Sequence, residues 1–237
     1  MLTVEILLWS QALKLLEHPG YIVGRSGPAP VVQSLLMNSI VLAGGKGQRL
    51  GRDKLSEVVG GRPLIQRVVD VVGLVSDQVL LVVARGQSQP AVSSCVETRT
   101  TTDIYPGKSA LGGIYTGLVS SDSLRNLVVA ADMPFLNPSL LRHLMSLSAD
   151  SDVVMPVVDD EIEPLHAIYS RDCLDPIRVQ LEEGSLKIRD FLGRVKVRYV
   201  ETAEIERFDP EHLSFFNINT PADLRRARSI LGETGQH

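Results

Sequence analysis

The chain has little cysteine, no excess of positive charge and no long uninterrupted apolar run. Each shortage removes a class of protein. Two thiols, Cys95 and Cys173, stand far apart in 237 residues, with no Cys-x-x-Cys and no histidine at ligand spacing. Neither a disulfide framework nor a zinc site is indicated, and a reducing cytoplasm is the expected setting. The 24 basic and 28 acidic side chains leave a net charge of −4, which gives no field to attract nucleic acid, so any nucleotide contact must be local and pocket-like. The stretch nearest to an apolar run, MLTVEILLWSQALKLLEH (1–18), has no basic start, carries Glu5 and is broken by Ser10, Gln11, Lys14 and Glu17. That excludes a secretory signal and is too polar for a bilayer span. No internal repeat and no low-complexity segment is present.

What is present is an ordinary globular composition, 44% hydrophobic and 22% charged. A chain of this length buries roughly 70–75% of its unfolded surface, so disorder is excluded as the main state. Leu2, Ile6, Trp9, Leu13 and Leu16 recur at spacings of three and four and predict a short amphipathic helix, followed by a Gly- and Pro-rich linker. Residues 1–36 are therefore expected to be an appendage, an upstream over-reading of the start site, and an N-terminus mapped by mass spectrometry to Met1 would oppose this. Residues 37–228 are expected to form one domain and 229–237 a tail.

From Ser39 on, β-type apolar runs alternate with helical patterns. Strands are predicted at 39–43, 78–84, 126–132, 152–158 and 166–170, and helices at 63–75, 111–121, 138–148 and 175–183, with a variable stretch to about residue 103. Strands separated by helices of this length imply right-handed βαβ units. The expected fold class is α/β, a three-layer αβα sandwich with a mostly parallel sheet and Rossmann-like winding.

The first predicted strand runs into LAGGKGQRLGRDK (42–54), with four glycines and with Lys46, Arg49, Arg52 and Lys54. Glycines allow backbone NH groups to approach phosphate oxygens, and the basic side chains neutralise the remaining charge. The plain alternative is a glycine-rich connector. Neither common phosphate motif fits, because GxGxxG would need glycine where Leu50 stands and GxxxxGK[ST] would need it at Thr102. Asp132 closes the run NLVVAAD, where an acid at the carboxyl end of a parallel strand faces the ligand crevice. Mg²⁺ prefers such oxygen donors, so Asp132 is the candidate metal ligand; a turn cap is the alternative. Gly107, Gly112 and Gly113, around Lys108 and Ser109, predict a second flexible turn opening onto a helix. Thr220, Pro221 and Asp223 predict a capped helix start. Asn217 and Asn219, two apart on an extended segment, face one way. His166, alone on an apolar strand, is more ordinarily a satisfied core residue than a ligand.

These motifs resemble a known family. LAGGKGQRLGRDK looks like LxGGxSxRMGxDK of the molybdenum cofactor guanylyltransferases, in the glycosyltransferase-A-like nucleotidyltransferase superfamily. The resemblance continues through PGKSALGGIYTGL (106–118), AADMPFL (130–136), EPLHAIYS (163–170) and FNINTPADL (216–224). Asp53 before Lys54 separates it from relatives that read LAGGxGTRLxPxTxxxPK. The resemblance implies transfer of GMP from GTP to a molybdopterin-type molybdenum cofactor with Mg²⁺, no nucleic acid or membrane partner, and transient contact with other cofactor-biosynthesis proteins. It implies nucleotide binding by Leu42, Ala43, Gly44, Gly45, Lys54, Asp103 and Asp132, catalytic roles for Lys54, Arg49 and Asp132, and an acceptor site at Asn217, Asn219 and His166. Asp103 is further expected to share the metal. One departure concerns the base. The family often places an asparagine after the second central strand, where this chain has Ala84 and Arg85; Gly44 and Gly45 instead leave room for a purine. A CTP-dependent cytidylyltransferase or another small-molecule nucleotidyltransferase, and a non-catalytic nucleotide-binding module, are the alternatives.

Overall fold

The structure is a computed structural model that describes residues 37–44 and 54–233. The appendage expected over 1–36 and loop residues Gly45, Lys46, Arg49, Arg52 and Asp53 lie outside the described residues, and Lys54 is described only in its backbone.

The strands are β1 (Met37–Leu42), β2 (Val58–Val59), β3 (Arg62–Pro63), β4 (Gln78–Val83), β5 (Glu97–Thr102), β6 (Arg125–Ala130), β7 (Val153–Val158), β8 (Glu161–Ile162), β9 (His166–Ser170) and β10 (Val197–Val200). The helices are α1 (Leu64–Val72), α2 (Ser109–Ser120), α3 (Pro138–Ser146), α4 (Leu174–Glu182), α5 (Ile188–Leu192), α6 (Thr202–Ile205) and α7 (Pro221–Ile230). The main sheet has the order β10-β7-β9-β6-β1-β4-β5, with β8 paired to β7. β5, β4, β1 and β6 are parallel, as are β7 and β10, whereas β9 runs antiparallel to both its neighbours. The expected mostly parallel sheet is thus present, with one reversed strand inside it.

Strands covered on both faces read as continuous apolar runs, and β1, β4 and β6 are buried accordingly. One core packs α1 and α3 onto one face of the sheet through Ile65, Val68, Leu140 and Leu144. The opposite core packs α2, α4 and α5 through Leu111, Ile114, Ile177 and Phe191. Helices on both faces complete the expected sandwich. A smaller cluster joins Val59, Leu64 and Ile218 to Leu224 and Ala227 of α7.

Four details differ from expectation. β5 lies within the stretch read as variable; its sequence ETRTTT is polar because it forms the sheet edge and stays half-buried. The run 126–132 stops pairing at Ala130, because Ala130 lies opposite Leu42, the last residue of β1. Asp132 therefore sits in a turn beyond the strand. Of the glycines read with the turn at Gly107, Gly112 and Gly113 lie instead inside α2, within the helix expected over 111–121, where a Cβ would lie 2.9 Å from Tyr105 and 3.3 Å from Leu42 respectively. Their absent side chains allow close packing. Finally, α7 runs to Ile230, past the expected boundary at 228.

Candidate active site

The sheet order itself locates a crevice. From β1 the chain crosses by α1 to β4 on one side, and after β5 it returns by α2 to β6 on the other. Connections that leave a central strand in opposite directions open a cleft at the carboxyl ends of the strands. Here the cleft lies between β1 and β6. The two strand ends are tied together there, since Ala131 N donates to Leu42 O at 3.1 Å.

On the β1 side the chain continues beside β4, with Ala43 N donating to Val82 O at 2.8 Å. Gly44 follows, and a Cβ on it would lie 2.7 Å from Ala84 N and 3.2 Å from the Val83 carbonyl carbon. Only glycine fits such a backbone approach. The glycine at 44 thus has a cause in the packing against β4, apart from any room it leaves for a base.

On the β6 side Asp132 is half-buried in the turn after Ala130. The acceptor-side segment closes on it, with Ile218 N donating to Asp132 O at 3.0 Å. Ile218 is buried between half-buried Asn217 and exposed Asn219, so the two asparagines lie on the opposite side of the extended chain from the core. Asn217 Nδ2 donates to Phe215 O at 3.0 Å, and the Asn219 NH donates to Asp223. That second bond belongs to the helix start. Thr220 Oγ1 accepts from Asp223 N while Asp223 accepts from Thr220 N, the reciprocal capping box expected of this segment. Arg67, from α1, holds the Asp132 turn from below by donating at 3.3 Å to Pro134 O and to Val59 O. Arg62, Arg67, Asp70, Val71 and Pro134 line a cleft of about 220 Å³ beside it.

Asp103 follows β5 and is well fixed. Its Oδ1 accepts from Tyr105 N at 2.8 Å and from Thr116 Oγ1 at 3.0 Å. β4 and β1 separate β5 from β6, so at the usual strand spacing the strands that Asp103 and Asp132 follow run about 14 Å apart. Asp103 thus follows the edge strand and Asp132 the strand beside the switch point.

Among the described residues, Asp132 is a half-buried carboxylate just beyond β6 at the switch point. The described residues contain no group of three or more His, Cys, Asp or Glu that could cage a metal. Mg²⁺ commonly takes only one or two carboxylates and completes its shell with phosphate oxygens and water. A single half-buried carboxylate at the crevice fits that mode.

His166 bears out the core reading in its burial and departs from it in its hydrogen bonding. It is fully buried, its ring lies 4.6 Å from that of Phe215, and neither ring nitrogen has a hydrogen-bond partner among the described residues. It is a core residue, but an unsatisfied one, and it presents no nitrogen to an acceptor. Burial lowers its pKa to about 4, partly offset by its own backbone and by Asp209. In the same turn, whose Glu163 O accepts from His166 N and whose Leu165 O accepts from Ala130 N, the half-buried Glu163 carboxyl is raised to about 7 by burial and by Glu161.

Comparison with known proteins now identifies the scaffold. Residues 39–199 match the family described as MobA-like NTP transferase domain. The chain belongs to this family. It is accordingly a nucleotidyltransferase of the glycosyltransferase-A-like fold. It is 34% identical over 194 residues, 82% of this chain and 93% of the other, to a Pelotomaculum thermopropionicum protein named probable molybdenum cofactor guanylyltransferase. The crystal structure of an Archaeoglobus fulgidus protein named molybdopterin-guanine dinucleotide biosynthesis protein A superposes with a TM-score of 0.69 at 30% identity, over 84% of this chain and all of that one. A Mycobacterium tuberculosis protein described in complex with manganese shares the fold, with a TM-score of 0.55 at 14% identity over 82% of this chain and 98% of its own.

Within the MobA-like scaffold, three residues at the crevice escaped the sequence reading. Thr116 holds Asp103, Arg67 holds the Asp132 turn, and Gln87 bonds to Ala43 and Ala84. Only Thr116 carried a local signal, as a polar residue on an otherwise apolar helix face. The other two reach Pro134 and Ala43 across 67 and 44 residues, separations that no motif marks.

Proposed function

We propose that the protein transfers GMP from GTP to a molybdopterin-type molybdenum cofactor, releasing pyrophosphate. The observation that carries this reading is the meeting of the Leu42–Gly44 loop start with the Asp132 turn at the topological switch point, within a MobA-like chain. A phosphate-bearing donor and a metal-bound oxygen site are what that crevice suits.

In this reading the acceptor's terminal phosphate oxygen attacks the α-phosphorus of GTP. The new P–O bond forms as the bond from the α-phosphorus to the β-phosphate bridging oxygen breaks, and pyrophosphate leaves with the electron pair. The nucleophile is already an anion, so no general base is needed and catalysis consists of positioning and charge neutralisation. Leu42, Ala43, Gly44 and Gly45 hold the nucleotide along the loop backbone, Lys54 and Arg49 offset phosphate charge, and Asp103 orients the nucleoside end. Asp132 would hold Mg²⁺, whose chemistry when bound is to neutralise charge on the phosphate oxygens. Asn217 and Asn219 face the acceptor. His166 supports that side through Phe215 without touching it.

The test is pyrophosphate release and dinucleotide formation from GTP with loaded molybdopterin, together with exchange of labelled pyrophosphate into GTP in the presence of that acceptor, since direct displacement returns pyrophosphate to GTP only through the dinucleotide product. Asp132→Asn should lower both by at least about 100-fold. Near-normal turnover in that variant, or exchange into CTP but not GTP, would overturn the assignment.

A further inference from the structure

The turn after β4 carries a side-chain amide that folds back onto the strand ends. Ala84 and Arg85 offer no side-chain amide there, yet an amide returns three residues later. Ala84 to Gln87 form a tight turn in which Gln87 N donates to Ala84 O at 3.0 Å and Gly86 adopts φ +82°. The Gln87 side chain then folds back over the strand ends. Its Oε1 accepts from Ala84 N at 3.2 Å and its Nε2 donates to Ala43 O at 3.1 Å. Ala84 N is the atom that a Cβ on Gly44 would strike at 2.7 Å. One half-buried amide therefore serves the donor and the acceptor that flank the close backbone approach at Gly44.

Without Gln87 these two main-chain groups would lose these partners where β1 and β4 part, and Ala43 and Gly44 would be held less firmly against β4. Polar groups left unpaired away from water cost more than the bond itself contributes. Main-chain groups held in one place at Ala43 and Gly44 lower the ordering cost of binding a ligand laid against them, and a difference in that cost between ligands is a difference in preference.

We infer that Gln87 is a positioning residue for nucleotide binding, setting both the affinity for the preferred nucleotide and the discrimination between bases through the Ala43–Gly44 backbone. The inference rests on the proposed placement of the nucleotide along this loop. A purely mechanical staple would affect stability alone.

The two roles separate in a panel of full-length variants. Gln87→Met keeps the shape and removes both bonds, whereas Gln87→Glu keeps the acceptor for Ala84 N and removes the donor to Ala43 O. Dissociation constants are measured for GTP, CTP, ATP and UTP with MgCl₂, together with the acceptor KM, kcat and the melting temperature of the nucleotide-free protein. Gln87→Met should weaken the preferred nucleotide about 10- to 30-fold and Gln87→Glu about 10-fold. The preference over the other three bases should narrow, with kcat and acceptor KM held within about twofold. Gln87→Asn, too short to span both groups, should not restore affinity.

Unchanged nucleotide affinity and base preference in a folded Gln87→Met protein would overturn the inference. So would a rise in all nucleotide constants and the acceptor KM in step with a lower melting temperature. A wild-type preference for a base other than guanine would overturn the guanylyl reading but not this one, since the variants are then compared on the preferred nucleotide. A wild-type protein that binds no nucleotide overturns both.

Discussion

His166 and Glu163 are expected to give this protein two opposed pH dependences of stability that single substitutions would separate. His166 is fully buried, and its pKa falls from 6.5 to about 4. Between these values the unfolded chain binds the proton and the native state does not, so stability is complete above pH 6.5 and is lost as pH falls toward 4. A displacement of that size corresponds to about 3 kcal/mol at the acid limit. Glu163 has the opposite sign. Its pKa rises from 4.5 to about 7, so the native state holds the proton longer than the unfolded chain and stability declines as pH rises through the same window. Glu163 is partly exposed, and solvent screening reduces its contribution to roughly 1–2 kcal/mol. In the wild type the two slopes partly cancel between pH 4.5 and 6.5. The perturbations are His166→Phe and Glu163→Gln, and the assay is urea unfolding at half-unit steps from pH 4 to 8. His166→Phe should leave a protein that loses stability as pH rises, and Glu163→Gln one that loses stability more steeply than wild type as pH falls. Any repacking offset at position 166 is independent of pH, so the slope carries the test. An unchanged slope in His166→Phe would mean that the imidazole is not held neutral in the core, and the argument would fail.

The remaining predictions address packing, capping and the crevice. A Cβ at Gly117 would lie 2.4 Å from Ile40 Cγ2, so Gly117→Ala should cost about 1–3 kcal/mol by overpacking, and calorimetry should show partial recovery when Ile40→Val is added. Thr220→Ala removes half of the capping box and should cost about 1 kcal/mol in urea unfolding. Thr116→Val deletes the hydroxyl that donates to Asp103 Oδ1; GTP affinity should fall by about fivefold to tenfold if Asp103 orients the nucleoside, and titration calorimetry would register no change if it does not.

The legible parts of this fold are those whose cause is local. β1, β4 and β6 are apolar runs because they are covered on both faces, and the TPAD start of α7 is a capping box because its atoms are neighbours in the chain. What was illegible has its cause elsewhere in the molecule. ETRTTT is a strand only because β4 offers it an edge, and the direction of β9 follows from a hairpin at Asp159 and Asp160, both at positive φ, followed by the Glu163 turn. An adjacent DD pair was the one available hint. The end of β6 is fixed by the end of β1, so no pattern within NLVVAAD could reveal that Asp132 stands two residues beyond the pairing.

The same distinction applies to the candidate site. The residues read from motifs, Asp132, Asp103 and the Leu42–Gly44 stretch, are those expected to meet the ligand, and their types follow from phosphate and metal chemistry. The residues that hold them, Arg67, Thr116 and Gln87, satisfy main-chain or carboxylate oxygens contributed by other elements. Such a partner can come from any element that reaches, so its position in the chain is free to differ. That freedom is why Gln87, which bonds to Ala43 and Ala84, stands outside every motif read from the sequence.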